Sequence, residues 1–352
     1  MNNVVKIAKS SYTSVGVLNF EHLKNILNCW NKFIPYVQPY YAIKSFPNDK
    51  LLKFLSNYDV GYDVASKDEI SMVKKFNKPI IYANPVKSID DIKYAKKNNV
   101  VNLVVDSVEE CEKIKQSFPK SNIVIRVISD ELFSQIKFNK KFGANSNDII
   151  NIIDYLKCNN MNFMGYSFHV GSKCSNNIAY HNTITDILNL HYSIYNIPPK
   201  IIDIGGGFEN MEQIIELSEY LHPIDKRIKL IAEPGRLFSH SILELYTKVI
   251  GVRKRVIDNI DTNYISINDS IYHTLNGKIF DGQHFEPIPL YNNDTRERCI
   301  IFGNTCDSLD MIVDNILPVP KLNDIIMFKN VGAYSLASAN GKFNGFSACN
   351  II

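Results

Sequence analysis

The chain has 352 residues, enough for two domains and a large core. Hydrophobic residues make up 45% and charged residues 21%, an ordinary globular balance, and a net charge of +3 with no basic run gives no footing for nucleic acid. No apolar stretch is long enough to span a bilayer, and the opening Met1-Asn2-Asn3-Val4 lacks the charged and apolar regions of a signal peptide, so the expectation is a cytoplasmic protein with no membrane partner.

In chain order, the first dozen residues, with Val4-Val5-Lys6-Ile7, read as one extra strand. Short β-branched runs then recur at residues 40–44, 60–64, 80–83, 103–106, 123–127, 164–170, 201–204 and 230–232. The first five come at intervals of roughly 20 residues, one strand–helix unit each. Between them lie segments with a single apolar stripe: Leu51, Leu52 and Leu55 after the turn Pro47-Asn48-Asp49, then 108–117, 147–156 and 211–220. Eight units in series predict an α/β fold, a closed (β/α)8 TIM-type barrel over residues 14–240, with an open doubly wound sheet as its competitor. After about residue 240 the texture changes. Residues 242–256, 264–267, 299–302 and 325–328 read as strands without helices between them, and Pro287, Pro289, Pro318 and Pro320 punctuate them. Residues 241–352 are therefore expected to form a C-terminal β-rich domain.

Active sites of such barrels lie at the C-terminal ends of the strands. Polar residues gather there. Lys44 ends the first run, Asp63 lies in the second and Arg126 in the fifth. His169-Val170-Gly171-Ser172 ends the sixth, Asp203-Ile204-Gly205-Gly206-Gly207 the seventh and Glu233-Pro234-Gly235-Arg236 the eighth. Each has an ordinary explanation: Lys44 with its head in water, Asp63 as a cap, Arg126 in a surface ion pair, His169 as a satisfied core histidine, the glycines as an open turn. Their concentration on one rim points to a site. A desolvated lysine amine attacks carbonyls, so Lys44 suits a Schiff base with pyridoxal 5'-phosphate. Gly205, Gly206 and Gly207 let backbone N–H groups close on an anion where such barrels bind phosphate, and Arg236 adds charge. Glu233 could keep a pyridine nitrogen protonated, and His169 could stack on the ring. The nucleotide motifs G-x-x-x-x-G-K-[ST] and G-x-G-x-x-G do not occur.

The seven cysteines, at 29, 111, 158, 174, 299, 306 and 349, are odd in number, widely spaced and free of C-x-x-C. That argues against a disulfide framework and a structural zinc site, and no metal is expected.

Tyr41-Ala42-Ile43-Lys44, Tyr62-Asp63-Val64-Ala65-Ser66, Lys141-Phe142-Gly143 and His169-Val170-Gly171-Ser172 form a series. It continues through residues 203–208 and 233–236, Asn268-Asp269, Thr305-Cys306-Asp307, Gly332-Ala333-Tyr334 and Phe343-Asn344-Gly345-Phe346. On these stretches, in order and over nearly the whole chain, the sequence resembles the fold type III (alanine racemase-type) pyridoxal-phosphate decarboxylases, and within them the ornithine decarboxylases. The resemblance implies a barrel plus a β-domain that includes residues 1–13. It implies that Lys44 carries the cofactor, with Asp63, Arg126 and the further acidic residue Glu69 nearby and His169 packed on the ring. Ser172, Gly205, Gly206, Gly207, Gly235, Arg236 and Tyr334 hold the phosphate, and Glu233 faces the pyridine nitrogen. Cys306 delivers a proton to the substrate α-carbon after carbon dioxide leaves. Asp281 and Asp307, with Phe280 and Phe343, bind the substrate's far end. A homodimer is implied, with Cys306 and Asp307 reaching into the partner's site.

The implied reaction is decarboxylation of L-ornithine to putrescine and carbon dioxide, a step of polyamine biosynthesis. A related arginine decarboxylase branch carries Glu at the position of Asp281, and diaminopimelate decarboxylases carry Cys-Glu-Ser in place of Cys306-Asp307-Ser308. Lysine, or both lysine and ornithine, is the alternative substrate, because one methylene is worth only about 1–3 kcal/mol. Four places depart from the family pattern: Ser45-Phe46, Asn304, Ser270 and His273. The non-enzyme alternative is an inactive regulatory homologue. Such proteins lose the lysine, the cysteine or the phosphate ligands, all of which this chain keeps.

Overall fold

The computed structural model describes residues 2–339 and 341–352. The chain divides into two compact units, Ile26–Leu237 and, together, Met1–Asn25 with Phe238–Ile352.

In the first unit all eight expected runs form strands: β1 (Val37–Ala42), β2 (Gly61–Val64), β3 (Ile80–Tyr82), β4 (Asn102–Val105), β5 (Asn122–Arg126), β6 (Asn162–Ser167), β7 (Ile201–Asp203) and β8 (Lys229–Ala232). They pair in parallel in chain order, and β8 returns to β1 through Leu230 opposite Val37, closing the barrel. The closed ring excludes the open sheet. Tyr40, Ile81, Val104, Val124, Ile201 and Ile231 form one buried cluster, with Met164 packed against it. Burying each such side chain contributes about 1.5–3 kcal/mol. β2 gives this layer no side chain because a Cβ on Gly61 would lie 2.7 Å from the Tyr40 ring. Most strand-to-helix loops end in a polar N-cap. Asn48, Ser66, Ser88, Ser107, Asn145 and Asn210 each accept a backbone N–H of the helix that follows.

One strand-to-helix connection is elaborated. After β5 the chain forms Ser134–Ile136, which pairs antiparallel with Ser172–Cys174 beyond β6. The Glu131 carboxylate pins the return, accepting the N–H groups of Phe138 (2.5 Å) and Asn139 (3.1 Å).

The second unit holds a sheet in the order Pro287–Pro289, Ile325–Phe328, Leu243–Ile257, Ile260–Ile267, Arg296–Phe302 and Met311–Pro318. Val15–Leu18 joins it, antiparallel to Leu243–Ile257 and parallel to Asn350–Ile351. This strand lies beyond residue 14, the expected start of the barrel, and belongs by pairing to the β-rich sheet. The expected strand at Val4-Val5-Lys6-Ile7 is instead a helix, Asn2–Ser10. Val4, Val5 and Ala8 pack on Val15, Tyr246, Ile325 and Met327, a one-face pattern only a helix can make. No helix among the described residues is long and apolar enough to cross a membrane.

Candidate active site

β1 ends at Ala42, two residues earlier than expected, and one 3-10 turn, Ile43–Ser45, carries Lys44. Lys44 Nζ lies 3.2 Å from Asp63 Oδ2 on β2. The Asp63 side chain is 2% exposed and that of Lys44 45%, so the expected desolvated amine is a half-exposed one held by a buried carboxylate. A buried carboxylate left without its cation is strongly destabilising, which fixes this pairing.

Glu69 sits in the first turn of the helix Lys67–Val73, where the Ser66 hydroxyl accepts its N–H. Its own Oε2 accepts the Ala65 N–H at 2.5 Å. Burial pushes the Glu69 carboxyl up to about 7; the Ala65 N–H and Lys44 oppose the rise and Asp63 adds to it. Glu69 therefore finishes a helix cap and also titrates near neutrality beside Lys44 and Asp63.

His169 Nδ1 accepts the Gly171 N–H at 3.1 Å, which leaves the ring proton on Nε2. Phe138 packs edge-on against the imidazole, 4.8 Å between centroids. Burial, then the charges of Arg126 and Lys44, holds the ring well below the usual histidine range, so it is neutral. A neutral, oriented imidazole suits packing on a flat aromatic ring.

Asp203 and Glu233 lie buried together at the ends of β7 and β8. Burial pushes both carboxyls up, and for Glu233 the nearby Asp203 and Asp63 add to the rise. Burial thus favours the neutral form of each carboxyl. Asp203 Oδ1 also accepts the Gly205 N–H at 2.9 Å, which sets the start of the glycine loop. A Cβ on Gly206 would meet Glu233 O at 2.6 Å, and one on Gly207 would meet Gly171 O at 2.7 Å. Only glycine leaves this cradle open. Across it, Arg236 Nη2 donates to Ser172 Oγ at 3.2 Å. A cavity of about 360 Å³ opens beside Lys44, Arg126, Phe138, Lys141, Phe142 and His169. A larger cleft of about 730 Å³, between Val127–Asp130 and the helix Ile178–Ile194, contains none of the rim groups named above. An anion cradle, a lysine, a neutral imidazole and a buried carboxyl pair fit the phosphate, aldehyde, ring face and pyridine nitrogen of pyridoxal phosphate.

The other expected residues lie in the β-rich unit. Cys306 Sγ lies 3.3 Å from Asn344 Oδ1, and the Cys306 N–H donates to the same oxygen at 3.0 Å. Asp307 accepts the Tyr272 hydroxyl at 2.6 Å and the Leu309 N–H at 3.0 Å. The Leu309 N–H, then Tyr272, holds the Asp307 carboxyl below the usual range, and Asp307 in turn pushes the Tyr272 phenol up to about 12. Tyr272 stacks on Phe343 with centroids 4.4 Å apart. Tyr272 and Asn344 thus join Cys306, Asp307 and Phe343 into one cluster. Asp310, 1% exposed, ties this loop down by accepting the Thr305 hydroxyl at 2.6 Å and the Ile271 N–H at 3.1 Å. Asp281 belongs to a separate network, in which Gln283 Nε2 donates to its Oδ2 at 2.9 Å. Phe280 beside it is 70% exposed. Tyr334 adopts φ +52° immediately after the buried Ala333. Tyr272, Asp310 and Gln283 are not singled out in the sequence, and Asn344 only by its place in the stretch Phe343-Asn344-Gly345-Phe346; their hydrogen-bond partners lie up to 52 residues away.

A family model described as "Pyridoxal-dependent decarboxylase, pyridoxal binding domain" matches residues 20–240. The chain is 33% identical over 349 residues to the probable ornithine decarboxylase of Dictyostelium discoideum, spanning 90% of this chain and 74% of that protein. It is 32% identical to antizyme inhibitor 2 of Xenopus laevis, spanning 90% and 75%. The crystal structure of the Paramecium bursaria Chlorella virus arginine decarboxylase matches with a TM-score of 0.91 and 30% identity, covering 100% of this chain and 98% of that one. The chain belongs to the pyridoxal-dependent decarboxylases, of the ornithine decarboxylase-like, fold type III kind. Its cofactor is pyridoxal 5'-phosphate.

Proposed function

We propose that the protein decarboxylates L-ornithine to putrescine and carbon dioxide, a polyamine-forming step, as a cytoplasmic homodimer. The observation that carries the substrate assignment is that two carboxylates in separate networks, Asp281 and Asp307, are each held by a neutral donor, Gln283 and Tyr272. Two oriented acids match a substrate with a second, distal ammonium.

Lys44, Arg126, His169, Ser172, Gly205, Gly206, Gly207, Gly235, Arg236 and Tyr334 would hold the cofactor. When bound, pyridoxal phosphate supplies an electron sink for the pair left by the departing carboxylate. Asp63 holds the proton of Lys44 within 3.2 Å. Glu233 would face the ring nitrogen, its carboxyl pushed up by burial and then by Asp203. The Cys306 thiol, hydrogen-bonded to Asn344, is the proton source for the α-carbon. Asp281 and Asp307 set the reach of the side chain, with Phe280 and Phe343 as apolar neighbours. Phe280 and Leu309, 70% and 72% exposed, flank those acids in sequence and supply the apolar surface a dimer would cover.

Two other readings have support. The arginine decarboxylase match leaves a longer basic amino acid as substrate, with lysine the nearest. The antizyme inhibitor match suggests a regulatory protein without activity. Against the second stand the pairs Lys44–Asp63, Arg236–Ser172 and Cys306–Asn344. The test is to incubate the pyridoxal-phosphate-loaded protein with ornithine and follow putrescine by mass spectrometry. Putrescine should form, and Lys44→Ala should form none. A loaded protein that turns over neither ornithine nor lysine would favour the regulatory reading.

A further inference from the structure

The amide of Gln283 occupies an unusual place. It is 7% exposed, two residues past Asp281 across Gly282, which has φ +60°. Its Nε2 donates to Asp281 Oδ2 at 2.9 Å and to Ala333 O at 2.6 Å. Both partners are acceptors, so the amide orientation is fixed by chemistry. Its Oε1 takes the Ser335 hydroxyl at 3.4 Å. Gly277 makes room for it: a Cβ there would meet Gln283 Oε1 at 2.6 Å. One neutral side chain thus links Asp281 to the residues on both sides of Tyr334.

We propose that Gln283 is a positioning residue for substrate specificity. It fixes the plane and depth of the Asp281 carboxylate so that this acid meets an ammonium at one distance from the α-carbon. The argument rests on Asp281 being the distal-amine acid. A carboxylate aimed by a buried donor discriminates chain length better than one free to rotate, because a misplaced ammonium forfeits a charge-assisted hydrogen bond. The Ala333 carbonyl anchors the amide to a turn whose strained Tyr334 backbone gives it little freedom. Gly277 leaves the room in which the amide is held, and Gly282, with φ +60°, makes the turn between Asp281 and Gln283.

The decisive variant is Gln283→Met, which keeps length and volume and removes both donor hydrogens. Its KM for ornithine should rise roughly tenfold and the ornithine-to-lysine ratio of kcat/KM should flatten, with kcat changed by less than about threefold. Pyridoxal phosphate affinity, followed by absorbance, should match the parent. Gln283→Asn, which keeps the donors on a shorter stem, should recover part of the ratio. Calorimetric binding of putrescine to the loaded protein should weaken by a similar factor, and this readout needs no turnover. If the parent prefers lysine or arginine, the ornithine reading fails, yet Gln283→Met should still raise KM for the preferred substrate. An unchanged KM and putrescine affinity would overturn the proposal. So would a joint fall of kcat and cofactor affinity, which would mark Gln283 as merely structural.

Discussion

Glu69 shows how one side chain can serve structure and charge together. Its folded-state carboxyl, near 7, lies above the ordinary value of 4.5, so the folded chain binds that proton more tightly than the unfolded one. Ionising it therefore costs stability progressively from about pH 4.5 to about 7, and the full cost is present above that. Glu69→Gln keeps an acceptor for the Ala65 N–H and removes the charge. In the cofactor-free protein its melting temperature should gain on the parent as pH rises from 5 to 8. A gap that stays constant over that range would show that burial does not raise this carboxyl. Cys306 makes a sharper claim about chemistry. Cys306→Ala should bind pyridoxal phosphate normally while putrescine formation falls by about 10²–10⁴, the usual worth of a positioned acid. Near-parental putrescine formation would remove the thiol from its role.

The glycine loop after β7 is the element on which the proposed cofactor binding turns. In Gly206→Ala the new methyl would press on the Glu233 backbone carbonyl at 2.6 Å and on His169 Nε2 at 3.1 Å. Pyridoxal phosphate affinity should drop by at least about tenfold, read by absorbance titration, while far-ultraviolet circular dichroism is retained. An unchanged affinity would place the phosphate elsewhere. The place of this loop was legible in the sequence because the glycines directly follow a strand run, and Lys44, His169 and Arg236 were legible as rim residues because barrel topology puts every strand end on one rim. The β-branched runs likewise announced all eight barrel strands. What the sequence hid has physical causes. Val4 and Val5 suggest a strand by propensity, yet packing one face on Tyr246 and Met327 overrides it. Ser134–Ile136 and Pro287–Pro289 are too short to carry a period. Gln283 and Tyr272 are ordinary polar residues whose meaning lies in partners distant along the chain. Ser45, Ser270 and His273, which depart from the family pattern, are all fully buried, and the Ser270 hydroxyl accepts the Tyr272 N–H at 2.9 Å.

At the scale of the molecule, the proposed dimer shares each site between two chains, one giving Lys44 and the other Cys306 and Asp307. Mixing inactive Lys44→Ala protein with Cys306→Ala protein should then recover activity that neither shows alone, because an exchanged dimer contains one site with both groups intact. No recovery after confirmed subunit exchange would place both groups in one chain. The barrel, the cofactor and the family are established by the fold and by the relatives, and the open question of greatest consequence is which amino acid enters. The most direct measurement is kcat/KM for carbon dioxide release from ornithine, lysine, arginine and meso-diaminopimelate under one set of conditions. Ornithine should rank first and lysine second, separated by the roughly 10–200-fold that one methylene allows. Lysine, arginine or diaminopimelate in first place would contradict the ornithine assignment.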